Sequence, residues 1–286
     1  MLKNKNIYLS TTFAQDNTPV SKVLHFCKKN NIYNVELGSN HKFEKDYYKI
    51  CKRYNLNYLV HNYFPIPKKS FVVNIASLDK NIRKKSILHV KKCIRFTKSI
   101  NSKLYTFHPG FVEDPISSNE NSKNYDFVWS KLKKNTHQKV FKQMMISLKE
   151  ISLYAKQKSV NIAIETEGSF KKKDLLVMQR PKEFIKLFKH FKPEDLGINL
   201  NIGHLNLASK AFGFSKLNFV KLLRDYIVAI EISHNNGFED QHLPIKKNQW
   251  YLKIIKNRNL KDALKILEFR NATIKEIKRS IKILNN

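Results

Sequence analysis

Short apolar runs alternate with longer amphipathic stretches along this chain, and the pattern predicts strand followed by helix in repeated units. Ile7 to Ser10 reads as a first strand. Val20, Val23, Leu24 and Cys27 then follow at the i, i+3, i+4, i+7 spacing that lines one helix face. "NVEL" is the second strand, and Tyr47, Ile50, Cys51 and Tyr54 repeat the helical spacing before the third, "NYLVH". A helix from about Leu78 to Ile100 precedes "LYTFH". Phe141, Met144, Leu148, Ile151 and Ala155 line a helix before "NIAIE", while "PKEFIKLFKHF" leads into "GINLN". "YIVAIEI" and "LKILE" supply strands seven and eight. In "TIKE", Thr273 and Glu276 form a capping box for a last helix with Ile274, Ile277, Ile281 and Leu284 facing inward.

Eight such units predict one α/β domain over residues 1–286, folded as a closed (β/α)8 TIM barrel. An open doubly wound sheet fits less well, because no glycine-rich phosphate turn follows the first strand. The longest loops fall after strands three, four, five and seven. The segment from Val112 to Asn135, rich in Ser, Asn and charged residues, is the expected lid.

Composition narrows the picture modestly. No apolar stretch approaches the roughly 20 residues of a membrane helix. The opening "MLKNKNIYLSTTFAQ" lacks a cleavage-site pattern, so a cytoplasmic protein is expected. Net charge is +31, which would suit a phosphate-rich partner. The lysines are scattered over every predicted helix rather than gathered in a stripe, and AT-rich coding bias accounts for that better than a nucleic-acid footprint. Cys27, Cys51 and Cys93 lie on or near apolar helical stripes without metal-type spacing and are expected to be reduced core residues.

Candidate chemistry sits at the strand ends. Successive apolar runs terminate in His61, His108, Glu165, Asn201 and Glu268, and a parallel barrel builds its active site from such positions. A divalent metal needs imidazole and carboxylate donors converging from different elements, with one position left open. His61, His108, Glu165, His204, Glu231, Asp240, His242 and Glu268 meet that demand. Taken singly, a strand-end His often just bonds a loop and a lone Glu faces water. Taken together they point to a divalent cofactor (Zn, Mn or Mg), especially as His25, His89, His137 and His190 fall on predicted helices instead. Glu36 and His41, near strand two, either line the pocket or make ordinary hydrogen bonds.

"VHNYFPIP", "YTFHPGF", "IAIETEG", "LNIGH", "ISHNNGFEDQHLPI" and "ILEFRN", in this order, make the chain resemble the xylose isomerase-like barrels. That family includes sugar and sugar-phosphate isomerases and epimerases and the endonuclease IV group. The resemblance implies one metal on His61, His108 and Glu165 and another on His204, Asp240 and His242. A middle metal would take Glu165, Asn201, Glu231 and Glu268, where the family usually has Asp for Asn201 and His for Glu231. An amide oxygen is a weaker, uncharged ligand, while the Glu adds a charge. The number of metals is left open.

The repair enzymes of this family carry "NDSK", "RxDRH" and "ENTAGQG" segments. Here "SHNNGFEDQHLPI" is closer to the "NDG" and "DxHLP" of the isomerases, and the strand-five segment reads "ETEGSFKKK" without the "ENTAGQG" run. The expected function is therefore a metal-dependent isomerase or epimerase acting on a sugar or sugar phosphate through an enediolate. Glu165 and Glu268 would move the proton, and His108 and His204 would orient the substrate. A zinc-dependent endonuclease acting on abasic DNA is the alternative, and a non-catalytic barrel with a degraded site the third. Lysines of "SFKKK" either reach a substrate phosphate or form a solvated loop.

Overall fold

The structure, a computed structural model, describes residues 6–118, 127–129 and 135–285. The central part of the expected lid, residues 119–126 and 130–134, lies outside the described residues, as do residues 1–5.

Eight parallel strands close into a barrel: β1 (Ile7–Ser10), β2 (Asn34–Leu37), β3 (Asn57–His61), β4 (Leu104–Phe107), β5 (Asn161–Glu165), β6 (Gly197–Asn201), β7 (Ile227–Ile232) and β8 (Leu264–Leu267). Each strand pairs with its neighbours in sequence, and β8 returns to β1 through Leu9 opposite Leu267. The β6–β7 register shifts between Ile198 and Asn199, which sets Asn201 level with Glu231. A short antiparallel pair, Ser117–Ser118 with Phe127–Val128, lies in the β4 loop.

Helices α1 (Val20–Lys29), α2 (Tyr47–Tyr54), α3 (Lys80–Ser99), α4 (His137–Gln157), α5 (Pro181–Leu187), α6 (Ile202–Phe212), α7 (Lys216–Leu223), α8 (Tyr251–Ile255) and α9 (Ile274–Asn285) connect or follow the strands. Their expected faces are the buried ones. Val20, Val23, Leu24 and Cys27 of α1 and Phe141, Met144, Leu148, Ile151 and Ala155 of α4 pack in the main core. In α9 the third turn departs slightly: Ile283 is buried and Leu284 only partly so. The Thr273–Glu276 box is formed, with Thr273 N donating to Glu276 Oε2 at 2.8 Å and Glu276 N to Thr273 Oγ1 at 3.3 Å. All three cysteines are buried and free. His190 falls outside a helix, because α5 ends at Leu187.

Two apolar layers result. The larger lies between strands and helices; a smaller cluster of Tyr8, Leu59, Leu104, Ala163, Ala229 and Ile266 fills the barrel interior. Side chains two residues apart on a strand point the same way. The residues two steps further along, Ser10, His61, Thr106, Glu165, Glu231 and Glu268, therefore form a polar layer on top of an apolar floor. Among the described residues, no helix is long and apolar enough to cross a membrane.

Candidate metal centre

The polar layer and its loops bring together all nine residues singled out as possible ligands. His61 ends β3, Glu165 ends β5, Asn201 ends β6, and Glu231 sits within β7. His108 and Glu268 lie one residue beyond β4 and β8. His204 comes from the first turn of α6, which starts directly at the end of β6, with Asn201 as its cap. Asp240 and His242 come from the β7 loop. That loop is pinned by paired bonds, His234 N to Leu243 O at 2.8 Å and Leu243 N to His234 O at 2.9 Å. His242 itself adopts a left-handed φ of 46°, an uncommon conformation for a residue with a side chain.

Two sets of donors converge. In the first, His61 Nε2 and His108 Nε2 each stand 3.6 Å from Glu165 Oε2, an oxygen that is buried without a hydrogen-bond partner. Ligand bonds of about 2.0–2.1 Å around a tetrahedral ion give edges of about 3.4 Å, so this spacing fits a cation better than a hydrogen-bonded cluster. In the second, Asp240 Oδ2 lies 3.5 Å from His204 Nε2 and 2.8 Å from His242 Nε2, while Asp240 Oδ1 is buried without a hydrogen bond and His242 Nδ1 lies 3.2 Å from Glu268 Oε2. Within each set the ligand atoms lie within 4.8 Å of one another, and three ligands leave a fourth position for a substrate oxygen or water. Glu165 Oε1 at 3.0 Å from His204 Nδ1 links the two sets. The donors fit the divalent ions that the sequence implies.

Electrostatics follow from burying acids and imidazoles together. Burial alone lowers His108, but Glu165 and Glu167 outweigh it and raise it to about 9. His242 also reaches about 9, burial being overcome by Asp240 and Glu268. His204 rises well above its ordinary value, because Asp240 and then Glu165 outweigh burial. Burial dominates at His61, which is lowered and so favours the neutral, ligating form. Burial pushes Glu165 up, yet His108, His204 and His61 hold it below the ordinary carboxylate range; Glu268 is lowered in the same way by His242. A metal entering these sets displaces protons from the imidazoles it binds.

The middle position differs. Asn201 turns its nitrogen, not its oxygen, toward Glu165, Glu231 and Glu268, and an amide N–H donates and cannot ligate. Glu36 joins His61 and Glu231 as a third group within 4.8 Å, and neither of its carboxylate oxygens has a hydrogen-bond partner. Burial, reinforced by Glu268 and Glu165, raises Glu36 well above the carboxylate range, and burial with Glu165, Glu268 and Glu36 does the same to Glu231. His41 stands apart from this group, with Nδ1 2.9 Å from Thr18 O and Nε2 2.7 Å from Thr11 Oγ1.

Several supporting residues were not foreseen. Glu167 lies 2.6 Å from His108 Nδ1, Thr106 Oγ1 lies 2.8 Å from His61 Nδ1, and Asn199 Nδ2 donates to Glu231 Oε1 at 2.7 Å. Such partners fix ring orientation and tautomer around a metal. Thr106, Glu167 and Asn199 each sit two positions from His108, Glu165 or Asn201, so extending the strand alternation by one step would have found them. The "SFKKK" lysines disperse: Lys171 Nζ is 3.8 Å from Glu239, and Lys173 Nζ lies 5.7 Å from the Phe212 ring centre.

A closed barrel of eight parallel strands with its imidazoles and carboxylates gathered at the C-terminal mouth defines an α/β barrel enzyme architecture. Residues 30–286 match the xylose isomerase-like TIM barrel family, and the chain belongs to it. An uncharacterized protein of Methanocaldococcus jannaschii, MJ1614, is 27% identical over 232 residues, covering 80% of this chain and 76% of that one. A solved D-tagatose 3-epimerase-like protein superposes with a TM-score of 0.74 at 19% identity, covering 98% of this chain and 96% of its own. The apurinic-apyrimidinic endonuclease 1 of Plasmodium falciparum is 33% identical over 93 residues, 32% of this chain and 15% of that protein.

Proposed function

We propose that the protein is a metal-dependent isomerase or epimerase of a small sugar or sugar phosphate. The observation that carries this reading is the pair of buried acids Glu165 and Glu268, both held on the ionised side of their ordinary range. They approach from well-separated strands and meet at one amide nitrogen, Asn201 Nδ2, at 2.9 and 3.3 Å, so their facing oxygens are no more than about 6 Å apart. The amide nitrogen fills that gap, so a substrate carbon would lie beyond it, at the mouth of the barrel, with an acid on either side. One carboxylate takes the proton from a carbon next to a carbonyl and hands the same proton to the neighbouring carbon, which completes an isomerisation; epimerisation requires the second acid to take up a proton from solvent first and deliver it to the opposite face. A divalent ion in an outer set would polarise the adjacent hydroxyl and carbonyl oxygens and acidify the C–H between them. His108 and His204, fixed by Glu167 and by the Thr166 carbonyl, orient those oxygens. The similarity to a D-tagatose 3-epimerase-like protein supports this choice of substrate class.

Incubating the metal-loaded protein with ketoses, aldoses and their phosphates in deuterated water tests it. Deuterium should appear at the carbon beside the carbonyl. Glu165→Gln should lower the exchange rate about 10²- to 10⁴-fold while leaving the circular dichroism unchanged. Full activity in that variant would overturn the assignment.

A second reading, phosphodiester hydrolysis at an abasic site, is favoured by one observation: both outer donor sets are complete and joined through Glu165 and His204. Two neighbouring cations can clamp a phosphate and generate hydroxide. Nicking of a duplex bearing an abasic site, with no exchange on any sugar, would establish that reading instead.

A further inference from the structure

Asn201 is both the last residue of β6 and the cap of α6, and the second role fixes how it serves the first. The backbone N–H of His204 donates to Asn201 Oδ1 at 3.0 Å, and a backbone N–H can only donate, so the oxygen must face the helix. The amide nitrogen is thereby turned toward the barrel axis. There its two hydrogens are shared among Glu165 Oε1 at 2.9 Å, Glu231 Oε2 at 3.1 Å and Glu268 Oε2 at 3.3 Å. Rotating the amide would lose the cap and set an oxygen against three carboxyl groups, so the orientation is over-determined.

Acids from β5, β7 and the end of β8 thus converge on one point, and all are buried. A cation bound by those three acids would have to sit where the amide nitrogen sits. The two departures from the family pattern work together: Asn201 removes an acid and supplies a donor, while Glu231 adds an acceptor that uses it. Asn199 Nδ2 satisfies the other oxygen of Glu231 at 2.7 Å, so that side chain is committed to amides on both sides.

We propose that the Asn201 amide replaces a central cation, so that Glu165, Glu231 and Glu268 are gathered by hydrogen bonds and no ion lies among those three acids. The inference rests on the metal reading of this site, but it concerns where ions bind and not which reaction they assist. Glu268 in this arrangement is free of metal.

The test is metal content per chain by elemental analysis, on protein loaded with excess Zn²⁺ or Mn²⁺ and desalted, for wild type, Asn201→Asp and Glu268→Gln. An aspartate at 201 keeps the helix cap through one oxygen and turns the other onto three acids, a cluster that requires a cation. Asn201→Asp is expected to carry one ion more than wild type. Glu268→Gln, a nearly isosteric change that folds independently of the outcome for position 201, is expected to carry the same number as wild type. A loss of one ion in Glu268→Gln, or no gain in a folded Asn201→Asp, overturns the proposal. Failure of the sugar assay leaves these differences intact, so the two readings stand or fall separately.

Discussion

His89 is buried and His108 partly so, yet their surroundings drive the two imidazoles in opposite directions. His108 faces Glu165 and Glu167 and is raised to about 9; His89, on α3, has no acid nearby, and burial lowers it to about 4. Its ring packs tilted against Tyr63 and edge-on to Phe71, and its Nε2 lies 3.2 Å from the Tyr63 carbonyl. Between pH 4 and the ordinary histidine value near 6.5, the unfolded chain therefore binds a proton that the folded chain refuses. The stabilisation is fully present above about pH 6.5 and is lost as pH falls toward 4, on the order of 3 kcal/mol in all. Urea unfolding of chelator-treated protein at pH 7 and pH 4 should show this loss in wild type and much less of it in His89→Phe. Equal pH slopes in the two proteins would refute the assignment. At this scale the sequence discloses the ligand-type residues, because His and Glu after apolar runs are conspicuous. The direction in which Asn201 faces is not disclosed, since it depends on a helix starting at once where the strand stops.

Among the elements, the contact between the β5 loop and α6 is the tightest constraint on the site. A Cβ on Gly168 would lie 1.9 Å from the His204 carbonyl oxygen, so only glycine lets the loop carrying Glu165 and Glu167 approach the helix carrying His204. Gly168→Ala should push the two apart, costing about 1–3 kcal/mol or more of stability and weakening metal retention by His204, Asp240 and His242. Thermal unfolding and equilibrium dialysis of the variant check both effects; wild-type metal affinity would show that the approach is dispensable. Strand order and most helices were legible from periodicity alone, because each strand's apolar run and each helix's stripe must bury a face. The end of α5 was not, because its apolar spacing continues past Leu187. Nor was the β6–β7 register shift, which side-chain pattern does not encode.

For the molecule as a whole, charge is divided between surface and site. Net charge is +31, yet Glu36, Glu165, Glu167, Glu231, Asp240 and Glu268, six of its 23 acidic residues, are collected in one cup. A basic exterior draws anions toward the protein over roughly a Debye length, about 10 Å at 0.1 M salt. If a sugar phosphate is the substrate, kcat/KM for it should fall as salt rises from about 0.02 to 0.5 M, while a neutral sugar responds little. Steady-state rates for the two at matched metal loading decide this, and identical salt profiles would remove any steering role for the lysines.

The apolar floor of Tyr8, Leu59, Leu104, Ala163, Ala229 and Ile266 has one more effect. It fills the barrel beneath the polar layer, so among the described residues the site faces the C-terminal mouth. In the reaction proposed above, whatever leaves would then pass the way the next molecule arrives. A product resembling its precursor will then contend with it for entry.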